Sequence, residues 1–369
     1  MTNRRAFLAS TAGAIPGLMF CGCSLLQGCS THAQTVGQAG ASASLGLRRS
    51  RVKTIDVHAH CFFQDALDVA KLGLKDVIPA PVKGTPEHII VLDQRLKSMD
   101  AMGIDMQVLG INPFWYRENV EMARAVCTIQ NEKLAQLCAL KPDRFAAFAS
   151  LTLQNPQIAV QQLETAIRKQ GLKGAAIGGS VAGEAFSDPK YHPVWAKAQE
   201  LGAVLFIHPQ STPELNNRFR GNGWLSNVIG NPLDTTIALE HLVFEGTLDK
   251  FPGLKVLAAH GGGYFSASSV RSDVSCYVSP SSCNPAITLK KKPSEYAKQI
   301  YYDSLVISPE ALRNLVAQVG ASQVMIGTDQ PIPWNEAPID HVMAAPGLSD
   351  AQRDGILGLN AARLLGIPT

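Results

Sequence analysis

Five residues of this 369-residue chain could do chemistry together: His58, His60, His208, His260 and Asp329. Each closes a short apolar run, in Ile55-Asp56-Val57-His58-Ala59-His60, Leu205-Phe206-Ile207-His208, Leu257-Ala258-Ala259-His260 and Ile326-Gly327-Thr328-Asp329. Neutral imidazole nitrogens and one carboxylate are the donors that Zn²⁺ and other divalent transition metals take, with an open position left for water. In a strand, residues two apart point the same way, so His58 and His60 share a face. A lone strand-end histidine is more often a hydrogen-bonded structural residue, and the His-x-His pair alone leaves that choice even. Five such residues at four run ends point to a metal site. His88, His192 and His241 fall in loop or helix contexts and His341 in the last helical region; these read as surface or capping residues.

The elements that must position the five follow from periodicity. Continuously apolar runs at Val52–Val57, Met106–Ile111, Phe145–Leu151, Leu172–Gly178, Ala203–Ile207, Lys255–Ala259, Gln299–Val306 and Gln323–Gly327 read as strands buried on both faces. Helical stretches alternate with them at Asp93–Met102, Asn119–Leu140, Pro156–Gln170, Pro189–Leu201, Leu233–Lys250, Pro309–Val319 and Asp350–Leu365, with a weaker one near Ser266–Val274. Asn155, Asp188 and Ser308 each precede a proline, the pattern of an N-cap followed by Pro in the first turn. Gly103, Gly171, Gly202 and Gly320 sit just past helices, as C-caps should. Eight βα units closing on themselves make an α/β fold of the (β/α)8 TIM-barrel type, spanning 52–369. In such a barrel all parallel strands end at one mouth, where active sites lie.

Composition narrows the class. With 33 Lys plus Arg against 30 Asp plus Glu, the charge is too balanced for a nucleic-acid binder, which shows a basic face. Hydrophobic content of 46% with a net charge of +3 excludes a disordered chain. Residues 1–33 read as an export leader: Asn3-Arg4-Arg5-Ala6-Phe7-Leu8 resembles the twin-arginine consensus, and an apolar stretch broken by Gly13, Pro16 and Gly17 follows. Two processing readings compete, a lipoprotein box ending at Cys29 and a cleavage site at Thr31-His32-Ala33. Residues 34–51 read as a flexible linker, and the destination as the periplasm, free or membrane-anchored. After the leader no apolar run is long enough to span a membrane. Of eight cysteines three lie in the leader; Cys276 and Cys283 could bridge in an oxidising compartment.

At these motifs the chain resembles the amidohydrolase superfamily, in the branch around aminocarboxymuconate-semialdehyde decarboxylase. The resemblance runs from about Thr54 onward and includes Ser98-Met99-Asp100-Ala101-Met102-Gly103-Ile104, Lys141-Pro142-Asp143-Arg144-Phe145, Phe251-Pro252-Gly253-Leu254-Lys255, His260-Gly261-Gly262-Gly263, Gly327-Thr328-Asp329 and Asn360-Ala361. It implies that His58, His60, His208 and Asp329 hold one divalent metal, Zn foremost with Mn as the alternative. It further implies that His260 is the acid/base, that Asp329 shares the proton chemistry, that Arg271 grips substrate carboxylate from a neighbouring subunit of a homodimer, and that Trp224 lines the pocket. A surface salt bridge for Arg271 and simple packing for Trp224 are the competing readings. The fourth run, Leu172 to Gly179, ends in small residues and lacks the Lys or Glu that would bridge a second metal. Departures concern the substrate: the segment from Phe62 to His88 has only Lys71, Lys75 and Lys83 where the family carries an arginine, and Gln330 replaces an aromatic after Asp329.

The resemblance implies non-oxidative decarboxylation of an unsaturated or aromatic carboxylic acid, with His260 deprotonating a metal-bound water and a proton replacing the lost carboxylate. Hydrolysis of a lactone, ester or amide is the alternative chemistry for the same donors. A non-catalytic metal-binding or ligand-binding protein is the third reading, and an acid/base beside the metal argues against it.

Overall fold

The computed structural model of the chain describes residues 52–78 and 82–368; the expected leader, Cys29 and the linker lie outside the described residues. Eight short strands form: β1 (Ile55–His60), β2 (Met106–Gly110), β3 (Phe145–Ala147), β4 (Gly174–Ile177), β5 (Val204–Ile207), β6 (Lys255–Ala258), β7 (Tyr301–Asp303) and β8 (Val324–Met325). One principal helix follows each: α1 (Leu92–Met102), α2 (Val120–Leu140), α3 (Pro156–Arg168), α4 (His192–Leu201), α5 (Asn231–Phe244), α6 (Phe265–Ser272), α7 (Pro309–Val319) and α8 (Asn360–Leu365).

All pairings are parallel, in the orders β1-β2-β3 and β4-β5-β6-β7-β8. Backbone bonds just outside the strands join the two sheets. Ala149 N–H donates to the Gly174 carbonyl and Ala176 N–H to that of Ala149, linking β3 to β4. Val57 N–H to Ile326 O, Asp329 N–H to His58 O and His60 N–H to Gln330 O link β8 to β1. The closed barrel leaves no unpaired edge. Its last seam runs through His58, His60 and Asp329, so three of the five expected donors stand where the sheet joins.

Alternation divides the core in two. One cluster joins strand residues to helix residues such as Leu134, Leu163, Val194, Leu239 and Leu315, the layer between sheet and helices. The other holds Ile55, Val57, Met106, Val108, Phe148, Val204, Phe206, Leu257 and Met325, the barrel lumen. Only the last helix adds to the second cluster, through Ala361, Ala362, Leu364 and Leu365. It covers the strand starts, since Asn360 Nδ2 donates to the Val324 carbonyl at 2.8 Å.

The caps hold where side chains could supply them: Asn155 accepts from the Gln157 and Ile158 amides, and Ser308 from that of Ala311. Boundaries move elsewhere. β1 starts at Ile55 and extends to His60, so both histidines lie inside it. The helix expected over Leu233–Lys250 breaks at Gly246, whose φ of 71° ends one segment before Thr247–Lys250 begins. The last expected helix is interrupted by a π-helical turn at Gly355–Leu359. No described helix is long and apolar enough to cross a membrane.

Candidate active site

The barrel brings the five expected residues into one buried cluster. His60 Nε2 lies 3.1 Å from His58 Nε2, 3.2 Å from His208 Nε2 and 2.8 Å from Asp329 Oδ1. His58 Nε2 is 3.2 Å from the same Asp329 oxygen, and His260 Nε2 is 3.6 Å from Oδ2. One donor atom each from His58, His208, His260 and Asp329 fall mutually within 4.8 Å. His260 differs in exposure: its side chain is 16% exposed against 0–7% for the other four, so it faces the open side.

Backbone strain aims two of these side chains. His260 and Asp329 adopt φ of 55° and 62°, values that residues with a Cβ rarely take. In both, the chain turns sharply as its strand ends. Past His260 the turn needs glycine: a Cβ on Gly263 would lie 2.1 Å from the Pro232 carbonyl oxygen.

Asp303, at the end of β7, organises the cluster from behind. It is fully buried; its Oδ2 lies 2.6 Å from His58 Nδ1 and accepts the His260 N–H at 2.8 Å, while Oδ1 accepts from the Gly261 and Leu305 amides. One carboxylate thereby orients β1 and the turn after β6 together. With Nδ1 of His58 committed to Asp303 and Nδ1 of His60 facing the Gly110 carbonyl at 3.3 Å, both turn Nε2 inward.

Electrostatics agrees with a cation site. Burial and the neighbouring imidazoles hold His208 well below the usual histidine range, and burial also lowers His60, so both are neutral donors. Burial opposes ionisation of Asp329, yet His58 and the other imidazoles outweigh it and hold the carboxyl well below its usual range. Burial likewise opposes charge on His58, but Asp329 and Asp303 raise it to about 10, which measures the negative potential at that point. The neutral nitrogens of His60 and His208, an ionised carboxylate, and a carboxylate-backed histidine whose proton a cation would displace fit a divalent transition metal.

At the end of β4 stand Gly178 and Gly179, both buried, with no side-chain donor. The Asp234 carboxylate occupies the adjoining space: a Cβ on Gly179 would lie 2.4 Å from it. Arg271 lies in the last turn of α6, exposed and without an ion pair among the described residues. Trp224 is 42% exposed rather than packed in the core, and it stacks on Trp334.

Two histidines are corrected. His88 is buried, not a surface residue: its Nδ1 donates to the Gly84 and Thr85 carbonyls and its ring lies parallel to that of His60, with centroids 6.4 Å apart. Burial, reinforced by His60, lowers its pKa to about 4. His341 is also buried, with Nε2 donating to the Ser304 carbonyl at 3.0 Å, next to Asp303. Both were hidden because their partners are backbone carbonyls, which leave no mark in sequence. Asp56 and Asp303 were missed too. Asp56 accepts from the His58 and Thr328 amides and the Thr328 hydroxyl, tying β1 to β8, and burial lifts its pKa to about 6. Asp303 offered one signal, a carboxylate at the same depth of its strand as the other donors.

The amidohydrolase family model matches residues 55–367, almost the whole described barrel. The chain belongs to this family. Among curated relatives, the 2-amino-3-carboxymuconate-6-semialdehyde decarboxylase of Dictyostelium discoideum is 33% identical over 279 residues, covering 74% of this chain and 76% of the relative. Among solved structures, the 5-carboxyvanillate decarboxylase of Sphingomonas paucimobilis superposes with a TM-score of 0.78 at 26% identity, over 86% of this chain and all of that one. The fold is shared with a dihydroxybenzoic acid decarboxylase from Polaromonas sp. JS666, solved with bound manganese and 2-nitroresorcinol (TM-score 0.74, 24% identity, 86% and 97% covered).

Proposed function

We propose that this amidohydrolase-family barrel is a metal-dependent, non-oxidative decarboxylase of an aromatic or unsaturated carboxylic acid. The observation that carries this reading is the buried convergence of four imidazoles on Asp329, in a chain whose relatives over most of its length are carboxylic-acid decarboxylases. His58, His60, His208 and Asp329 hold one divalent cation, Zn or Mn. When bound, such a cation supplies concentrated positive charge and Lewis acidity to oxygen substituents of the substrate. His260, the most exposed of the five and within 3.6 Å of Asp329, moves the proton. It would deliver that proton to the ring or chain carbon as the bond to the carboxylate breaks and carbon dioxide leaves, the bond's electron pair taking up the proton, with Asp329 Oδ2 as its nearest acidic partner. Asp303 fixes the orientation of His58 and of the turn bearing His260 throughout. Hydrolysis would use the same donors; the decarboxylating relatives favour the lyase reading.

Arg271 is proposed to bind substrate carboxylate across a homodimer interface, since a guanidinium forms paired, charge-assisted bonds to carboxylate. Around it Val270, Val274, Tyr277 and Val278 are 50–88% exposed, an apolar surface suited to a second copy. Cys276 and Cys283 are joined by a disulfide, which supports the proposed twin-arginine export to an oxidising compartment, with or without a lipid at Cys29.

The test is carbon dioxide release, measured against acid release, from manganese- or zinc-loaded protein on a panel of phenolic acids and lactones. Acid release without carbon dioxide would establish the hydrolase instead. Full turnover by protein shown by elemental analysis to be metal-free would end the metal-dependent reading.

A further inference from the structure

The outer face of the barrel wall carries a second group of buried polar side chains. Along β8, Met325 packs in the lumen while Val324 and Ile326 face the helices, and Thr328 and Gln330 continue that outward set. The bonds of Gln330 agree, since its amide donates to Ser98 Oγ on α1 and accepts from Gln107 Nε2. Gln107 also donates to Asp56 Oδ2, the acceptor of the Thr328 hydroxyl. Between this wall, α1 and residues 84–91 and 330–336 lies a cleft of about 560 Å³. Small-molecule sites have this size. None of the five clustered donors lines it, so it is separate from the mouth.

Arg95, in the first turn of α1, stands in the wall of the cleft and is only 4% exposed. Its Nη2 donates to the His60 carbonyl at 2.7 Å and to the Glu87 carbonyl at 3.2 Å, and its Nη1 to Gln107 Oε1 at 3.4 Å. Nε–H and the second N–H of Nη1 have no acceptor among the described residues. Nor does any carboxylate among them lie within ion-pair distance of this guanidinium. A buried cation with donors to spare is costly alone and suited to a carboxylate, whose two oxygens match its fork. The exposed side of the same cleft carries Glu87 and Glu336, whose carboxylates disfavour a plain anion. Ile89, Met102 and Ile332 supply apolar wall.

We propose that this cleft is a second ligand site, which takes a small amphoteric molecule of the α-amino-acid kind. Its carboxylate meets Arg95, its ammonium turns towards Glu87 and Glu336, and its apolar side chain lies against Ile89, Met102 and Ile332. The site stands apart from the decarboxylase reading, because it shares no residue with the metal cluster, Arg271 or Trp224.

Calorimetric titration of the manganese-loaded protein with leucine is the test. Its companions are isocaproate, which lacks the ammonium, and isoamylamine, which lacks the carboxylate. Leucine is expected to bind more tightly than either. Arg95→Met should weaken leucine and isocaproate by about ten- to a hundredfold, the effect of losing hydrogen bonds to a charged group. Glu87→Gln and Glu336→Gln together should weaken leucine about two- to fivefold, as for an exposed ion pair, and leave isocaproate no weaker. Ala101→Trp crowds the cleft from an exposed helix position and should abolish leucine binding with the melting temperature unchanged. It decides the matter alone if Arg95→Met, which also gives up the His60 carbonyl, does not fold. Arg271→Ala should bind leucine like the parent. The proposal is overturned if neither leucine nor phenylalanine binds the parent, if isocaproate binds as tightly as leucine, or if Ala101→Trp retains parental affinity. It is overturned too if Arg271→Ala weakens leucine as Arg95→Met does, since the ligand would then sit in the mouth.

Discussion

The strand ends and the loop rim of this barrel are built on opposite terms. At the strand ends His58, His60, His208 and Asp329 are buried, and His58 and His60 are oriented from behind: His58 by Asp303, His60 by the Gly110 carbonyl. Asp303 alone fixes His58 and the backbone of His260. At the rim, Trp224 stacks on a residue of another loop, and Arg271 stands exposed without an ion pair among the described residues. The difference separates two tasks. Groups that must position a cation and a proton tolerate little error and sit on the closed sheet, whereas the loops of the rim can vary without disturbing them.

The sharpest way to break this contrast is His260→Ala. Loss of a positioned acid/base should lower kcat by about 10²–10⁴, with metal content by elemental analysis unchanged. Loss of the metal instead would move His260 into the ligand set, in line with its place among the four mutually close donors. Asp303→Asn tests the buried support. Bound metal should weaken about 10- to 100-fold in a competition titration, because the His58 imidazole loses its carboxylate partner. Unchanged affinity would show that β1 holds His58 unaided. A rim test follows: mixing His260→Ala with Arg271→Ala subunits should restore activity that neither has alone, since one kind of mixed site regains both groups. No recovery in demonstrably mixed dimers would confine Arg271 to its own subunit's surface.

Smaller effects concern stability. Burial raises Asp234 to about 6 against an ordinary 3.8, so the fold favours its protonated form. Its contribution is therefore complete below about pH 4 and lost as pH rises through 6. Asp234→Asn should flatten that part of the stability curve and raise denaturant stability above pH 6 by roughly 2 kcal/mol. A curve identical to the parent's would refute the assignment. Smallest of all, replacing Cys276 and Cys283 by Ser should cost about 2 kcal/mol or less and leave metal content unchanged, since the bridge spans only seven positions of the rim.

The eight strands and their order were legible because buried parallel strands are continuous apolar runs, and the donors because they close those runs. Cap residues were readable for the same local reason: Asn155 and Ser308 act within three residues of their own position. What escaped depends on partners far along the chain. Asp303 lies 245 residues from His58, Asp56 lies 272 from Thr328, and the Trp224–Trp334 stack joins two loops on non-adjacent strands. His88 and His341 looked peripheral because backbone carbonyls, available at every position, are what hold them.

Local chemistry by itself determined the barrel class, the five converging donors and the lack of a second-metal bridge at β4, since each follows from residue type at a strand end. Only the tertiary structure decided which way the imidazoles face, which carboxylate holds them, and that the rings of Trp224 and Trp334 stack. Those facts exist only once closure of the sheet brings β1 against β8 and the loops above them into contact.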